Sequence, residues 1–251
     1  MKLMAIINAT PDSFSDGGAY DPLEAGLRLV EQGADWVDVG GESTRPGAAP
    51  PGEEEELRRV IPVVRGLGAR GANVSIDTRH ARVAALAIEA GARLVNDVSG
   101  GEDPGMFPVV ARAGLPMVIM HMRGTPATMR DHTDYVDLVS EVWSALAERR
   151  RQALAAGVPE VWIDPGIGFA KTAEQSLLLL RSLRGRDNHD VLVGASRKSF
   201  IGSITGQAVA AERVEGSLAV AIHCAQEGVG MLRVHDFIAT RRALAMWAAL
   251  A

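Results

Sequence analysis

A (β/α)₈ TIM barrel, an α/β fold in a single domain over residues 1–251, is predicted from three observations on the chain. Short apolar runs recur from one end to the other. A longer segment with helical periodicity follows each of them. A polar or charged group stands at the carboxyl end of every run. At 251 residues the chain is long for an ordinary domain and the right length for one barrel.

The runs, in order, are Leu3–Ile7, Trp36–Val39, Asn73–Ile76, Arg93–Val95, Pro116–Met120, Val161–Ile163, Val191–Val193 and Met231–Val234. They are continuous, not alternating, as expected of parallel strands buried on both faces. Between them, Tyr135, Leu138, Val139, Val142 and Leu146 fall on one helical stripe, and Val214, Leu218, Ile222 and Ala225 fall on another. The run Glu53-Glu54-Glu55-Glu56 follows Pro50-Pro51-Gly52 and reads as a solvated first helical turn, where carboxylates suit the dipole. A last helix is expected over Phe237–Leu250. The competing open, doubly wound sheet is disfavoured by the number of units and by the lack of G-x-G-x-x-G after the first run. No Pro- or Ser-rich linker divides the chain.

Composition excludes several function classes. Hydrophobic residues make up 47% and charged residues 23%, a globular balance, while aromatics are only 4%. A net charge of −5 argues against a broad surface for nucleic acid or anionic membrane. The single cysteine, Cys224, excludes an intramolecular disulfide and a thiolate metal cluster, and its place in a helical pattern makes it a buried small hydrophobe. The opening run to Ile7 is too short for a secretion signal, and no window approaches a membrane span, so a cytoplasmic protein is expected.

The carboxyl ends of the runs carry Asn8; Gly40 to Arg45; Asp77; Asn96-Asp97; His121; Asp164; Ser196-Arg197-Lys198; and Arg233 with His235. In a barrel these gather around one mouth, where sites in this fold are built. Asp77, Asn96 and Asp164 suit a flat heterocycle that presents several N–H groups. Lys198 can donate to ring nitrogens or a carbonyl. Arg45, Arg233, His235 and Asn8 suit an anion, and Asn8 could add an oxygen ligand to Mg²⁺. No zinc-spaced His/Cys set and no convincing Ser-His-Asp order is present, so the site reads as one for binding, orientation and charge stabilisation. The Gly-rich stretch from Thr10 to Gly18 reads as a lid over the mouth.

These residues carry a family resemblance. Asn8-Ala9-Thr10-Pro11-Asp12-Ser13-Phe14-Ser15-Asp16-Gly17-Gly18 and Asp38-Val39-Gly40-Gly41-Glu42-Ser43-Thr44-Arg45-Pro46-Gly47 resemble the first two signatures of the dihydropteroate synthases, pterin-binding enzymes of folate synthesis. Ser75-Ile76-Asp77-Thr78, Asn96 to Gly101, His121 to Pro126, Asp164 to Phe169, Ser196 to Ser199 and Arg233 to Asp236 follow in the family's order. The resemblance implies a transferase that condenses 6-hydroxymethyl-7,8-dihydropterin pyrophosphate with p-aminobenzoate, with Mg²⁺ as cofactor. It implies pterin contacts from Asp77, Asn96, Asp164, Lys198 and Arg233. It further implies p-aminobenzoate contacts from Thr44, Arg45, Pro46, Phe169, Ser196 and Lys198. Pyrophosphate would meet Asn8, Thr44, Arg45, Arg233 and His235, with Asn8 on the metal. Catalysis would rest on Asp77, Asp164, Lys198, Arg233 and His235, after closure of the loops that carry Asp16 and Arg45.

Two departures are visible. Ala9 stands where the family commonly has Val, and because the chain starts almost at its first run, the leader that often closes the barrel's bottom is expected to be missing or very short. A pterin-binding methyltetrahydrofolate:corrinoid methyltransferase is the rival reading. It would share the pterin contacts but would not need Ser43 to Pro46, Arg197-Lys198 or the Arg233–His235 pair as an anion site. A non-catalytic pterin-binding barrel is a further alternative. The resemblance also implies a homodimer through outer helices and competition by sulfonamides, which mimic p-aminobenzoate. His80, His132, His189 and His223 read as surface or packing residues, and a role for His121 at the substrate stays open.

Overall fold

The computed structural model describes residues 1–9, 21–42 and 52–250. Eight parallel strands lie in one sheet: β1 (Lys2–Asn8), β2 (Trp36–Gly40), β3 (Val74–Asp77), β4 (Leu94–Asp97), β5 (Met117–Met120), β6 (Val161–Asp164), β7 (Leu192–Val193) and β8 (Met231–Val234). From β1 to β6 each strand pairs with its neighbour in sequence, as does β7 with β8, and β1 pairs with β8. Between β6 and β7 a single parallel bridge, Ile163 to Val191, closes the ring. The predicted barrel is therefore the observed fold.

Five strands run past their apolar stretch into a polar or glycine residue: Asn8, Gly40, Asp77, Asp97 and Asp164. The reason is the two-residue period of a strand. Residues that share the inward face of the barrel form layers. Met4, Leu94, Val118, Trp162, Leu192 and Met231 pack together as the lower layer, with Lys2 over the Trp162 ring. Two residues further along those strands, the same inward face carries Asn96, Asp164 and Arg233, joined by Asp38 of β2. A second, larger apolar cluster fills the space between the sheet and the helices.

The helices are α1 (Pro22–Glu31), α2 (Glu53–Gly68), α3 (Ala81–Ala90), α4 (Met106–Ala113), α5 (Leu138–Ala155), α6 (Ala173–Arg181), α7 (Ser199–Thr205), α8 (Val214–Gln226) and α9 (Phe237–Leu250). The seventh unit thus holds two helices, α7 and α8, where one was expected. No described helix is long and apolar enough to cross a membrane.

Three details correct the sequence reading. Tyr135 precedes its helix, because Asp137 caps α5 by accepting from Ser140 N–H, and the Tyr135 hydroxyl instead donates to Ala170 O at 3.1 Å. Glu56 is not solvated: it is 0% exposed, with His80 Nδ1 2.8 Å from its carboxylate. On α8 the fully buried face is Ser217, Ala221 and Cys224, and the expected stripe of Val214, Leu218, Ile222 and Ala225 is only half-buried. Small residues face inward there, which lets the helix approach the barrel. Cys224 is buried as expected, and burial pushes its thiol up to about 12.

Candidate active site

Arg233, on the inward face of β8, reaches across the barrel. Its Nε donates to Asp38 Oδ2 and its Nη2 to Asp77 Oδ2, both at 2.6 Å. Asn96 Nδ2 donates to the same Asp38 oxygen at 3.1 Å. Four strands are thereby linked into one polar floor above the apolar layer. Burial opposes the charge on Arg233, but Asp38 and Asp77 more than offset it, and the guanidinium stays protonated. Asp77 has the opposite balance. Burial raises its pKa to about 7, Arg233 pulls it down, and Asp38 adds like-charge repulsion.

Asp164, 5% exposed at the end of β6, completes the acidic side. Its Oδ1 accepts from Gly166 N–H at 2.7 Å. Burial raises its pKa, against the pull of Lys198 and of that N–H. Gly166 has φ +68°, and a Cβ there would stand 2.0 Å from His121 O, so only glycine fits this turn. Lys198 approaches from the loop after β7. Its Nζ donates to Ile167 O at 2.5 Å and sits 4.3 Å from the centre of the Phe169 ring. Burial lowers its pKa to about 8, with Asp164 acting against that shift.

At the rim, the Ser196 hydroxyl lies 3.3 Å from His235 Nδ1 and accepts from His235 N–H at 3.3 Å. Desolvation, then the guanidiniums of Arg233 and Arg197, lower the His235 pKa. His235 keeps an edge open to solvent, so the two cations are the cause that persists, and the ring is neutral at pH 7. Asn8, half-buried at the end of β1 and level with Gly40 of β2, brings an amide oxygen to the same rim. An amide oxygen is a hard donor and suits Mg²⁺ better than a softer ion.

Residues 4–235 match the profile of the pterin binding enzymes. The chain belongs to the pterin-binding enzyme family. It is 45% identical over 244 residues to the dihydropteroate synthase of Synechocystis sp., covering 93% of this chain and 84% of that one. The crystal structure of Thermus thermophilus dihydropteroate synthase with 4-aminobenzoate superposes with a TM-score of 0.90 at 44% identity, covering 100% of this chain and 94% of the other. The same synthase in complex with 6HMPPP gives a TM-score of 0.86 at 42% identity, with the same coverage.

In this pterin-binding enzyme the structure brings together Asp77, Asn96, Asp164, Lys198, Arg233 and Phe169, with Ser196, His235 and Asn8 at the edge. Thr44, Arg45, Pro46 and the expected lid from Thr10 to Gly18 lie outside the described residues. Arg197, which stands beside Lys198 in the sequence, does not face the floor as a free cation. Its backbone is left-handed at φ +60°, and its guanidinium is taken up by Asp236 at 2.9 and 2.5 Å. His121 is held beneath the β6–α6 loop by Lys171, and burial lowers its pKa to about 3. A cleft of about 280 Å³ beside it, lined by Ser99, Arg123 and Arg149, lies off the polar floor.

Two residues escaped the sequence reading. Asp38 sits inside an apolar run, not at its end, and a carboxylate amid doubly buried strand residues was the available signal. Lys171 follows an apolar pair and carries no local signal. A further cluster, Glu42, Glu56 and His80, brings three ligand-type atoms within 4.8 Å of one another. Each already has a counterpart: His80 on Glu56 at 2.8 Å, and Arg79 Nε 3.3 Å from Glu42.

Proposed function

We propose that this pterin-binding enzyme condenses 6-hydroxymethyl-7,8-dihydropterin pyrophosphate with p-aminobenzoate, giving 7,8-dihydropteroate and pyrophosphate. The observation that carries the reading is the floor of the mouth, where Arg233 is fixed between Asp38 and Asp77 beside Asn96 and Asp164. Carboxylates buried at such cost need donors, and the N–H edge of a pterin supplies them. Asp77, Asn96 and Asp164 hold that edge, and Lys198 donates to the ring. Arg233 lies against its face. His235, Asn8 and Arg233 receive the pyrophosphate, and Asn8 is the residue that would hold Mg²⁺ there. When bound, Mg²⁺ neutralises charge on the departing pyrophosphate.

The carbon–oxygen bond to pyrophosphate breaks as positive charge grows on the pterin methylene. Asp77 and Asp164 stabilise that charge from below. The p-aminobenzoate nitrogen forms the new bond to carbon and then loses a proton. An aniline nitrogen is neutral at pH 7, so a strong base is unnecessary. Phe169, Ser196 and Lys198, with Thr44, Arg45 and Pro46, border that second substrate, and sulfonamides compete there. Methyl transfer to a corrinoid protein is not favoured, because the matching relatives are synthases.

The reading extends to a cytoplasmic homodimer. Exposed Ile204 on α7, Val209 just after it, and Met246 and Leu250 on α9 support an apolar contact through the outer helices. Activity is tested by mixing the protein with both substrates and Mg²⁺ and measuring dihydropteroate and pyrophosphate. Equal amounts of the two products are expected, reduced about a hundredfold or more in Asp164→Asn. Retention of pterin pyrophosphate with no product released would overturn the reading.

A further inference from the structure

Lys171 is buried at 8% exposure behind the mouth, yet its ammonium touches no carboxylate among the described residues. Its contacts are three neutral acceptors: Phe169 O at 2.8 Å, His121 Nδ1 at 3.1 Å and His121 O at 3.3 Å. Burying an ammonium against neutral groups is costly, and among the described groups acting on it only the field of the nearby Asp164 favours the charge. Those contacts join two loops. Phe169 belongs to the loop after β6, and His121 follows β5 directly. Between Phe169 and Lys171, Ala170 is held left-handed at φ +50°, an unfavourable backbone for a residue with a Cβ. Gly166 packs on the same His121 carbonyl, and Tyr135 clasps Ala170 O.

On the reading given under Proposed function, we propose that Lys171 is a positioning residue for p-aminobenzoate: its clasp on His121 fixes the Phe169 ring. The chain of contact is short, since Lys171 holds Phe169 O itself, while Lys198 over the ring is anchored separately on Ile167 O. Dihydropterin pyrophosphate meets Asp77, Asn96, Asp164 and Arg233 at the strand ends, and Lys198, the contact it shares with p-aminobenzoate, keeps its own bond to Ile167 O without the clasp.

The clasp also responds to pH. Burial brings the Lys171 pKa down to about 7, with Asp164 opposing the shift and Lys198 and Arg123 adding to it. His121 is neutral across that range and cannot compensate. A neutral amine has two N–H donors where the ammonium has three, so the clasp loosens as pH rises through 7.

The test is steady-state kinetics on the full chain, comparing wild type, Lys171→Met and Lys171→Arg between pH 6 and 7.5. At pH 6, Lys171→Met raises the KM for p-aminobenzoate about tenfold, the size of one lost charge-assisted hydrogen bond. The KM for dihydropterin pyrophosphate stays within about twofold. In wild type the p-aminobenzoate KM climbs across this window, while in Lys171→Met it is flat. Lys171→Arg, charged throughout, recovers part of the affinity and is also flat. Equal rises in both KM values, or an unchanged pH response in Lys171→Met, overturn the proposal and leave the activity standing. A wild-type protein with no turnover removes the activity and this proposal together.

Discussion

Asp38 governs the order of the polar floor. It is 0% exposed, its Oδ2 accepts from both Arg233 and Asn96, and its Oδ1 has no partner among the described residues. Replacing it with leucine leaves Arg233 paired with Asp77 alone. Asp38→Leu is expected to cost about 2 kcal/mol in urea unfolding, less than the roughly 3–5 kcal/mol of a wholly unpaired buried charge. An unchanged midpoint would show that Asp77 alone suffices. Lys198 makes a second prediction. Its folded pKa, near 8, is depressed, so the penalty for burying its charge is fully present below 8 and fades toward its ordinary value near 10.5. Its cation–π contact with Phe169 needs that charge, so kcat/KM for p-aminobenzoate falls as pH rises through about 8. Lys198→Arg, measured over the same range, should lack that fall. Asp77, Asn96, Asp164 and Arg233 were legible in the sequence because each interrupts or ends an apolar run at the mouth. Asp38 and Lys171 were not assigned, since their roles arise from a cross-barrel reach and a left-handed turn.

At the scale of elements, the start of α6 secures the loop that carries Phe169. Thr172 and Gln175 form a capping box, and the Gln175 side chain also donates to Thr133 O at 2.7 Å ahead of α5. Thr172→Ala is expected to lower stability by about 1 kcal/mol in denaturant unfolding, with weaker p-aminobenzoate binding because the loop loses its anchor. A loss of stability with unchanged binding would separate the cap from the site. Strand positions were readable because doubly buried strands must be apolar. Their ends were not, because the last inward residue of a barrel strand is where polar chemistry is placed. The face of α8 was misread for a related reason: close packing selected Ser217 and Ala221 for the inside, so the bulkier stripe does not mark the core. Glu56 was misread because the dipole argument for a helix start is blind to His80, which arrives from another unit.

For the whole molecule, the decisive feature is the unevenness of the ring. Seven seams are ladders of paired residues, whereas β6 and β7 meet at one bridge, with Ile163 N–H donating to Asp190 O at 3.0 Å. Arg150 of α5 braces that seam through an ion pair with Asp190. The floor residues Asp164 and Lys198 stand on opposite sides of it, so a pterin held by both would staple the barrel where it is least held. Native-state hydrogen exchange tests this. Without ligand, the Ile163 amide should exchange about tenfold or more faster than amides of β3 and β4, which sit between two ladders. Dihydropterin pyrophosphate should slow Ile163 and leave the amides of α3 unchanged. Arg150→Ala should speed Ile163 in the free protein, and ligand should recover most of that loss, because the staple acts from the mouth and the brace from outside. Equal protection of Ile163 and the β3 amides would mean that the ring opens as one unit, and binding would then close nothing that was open.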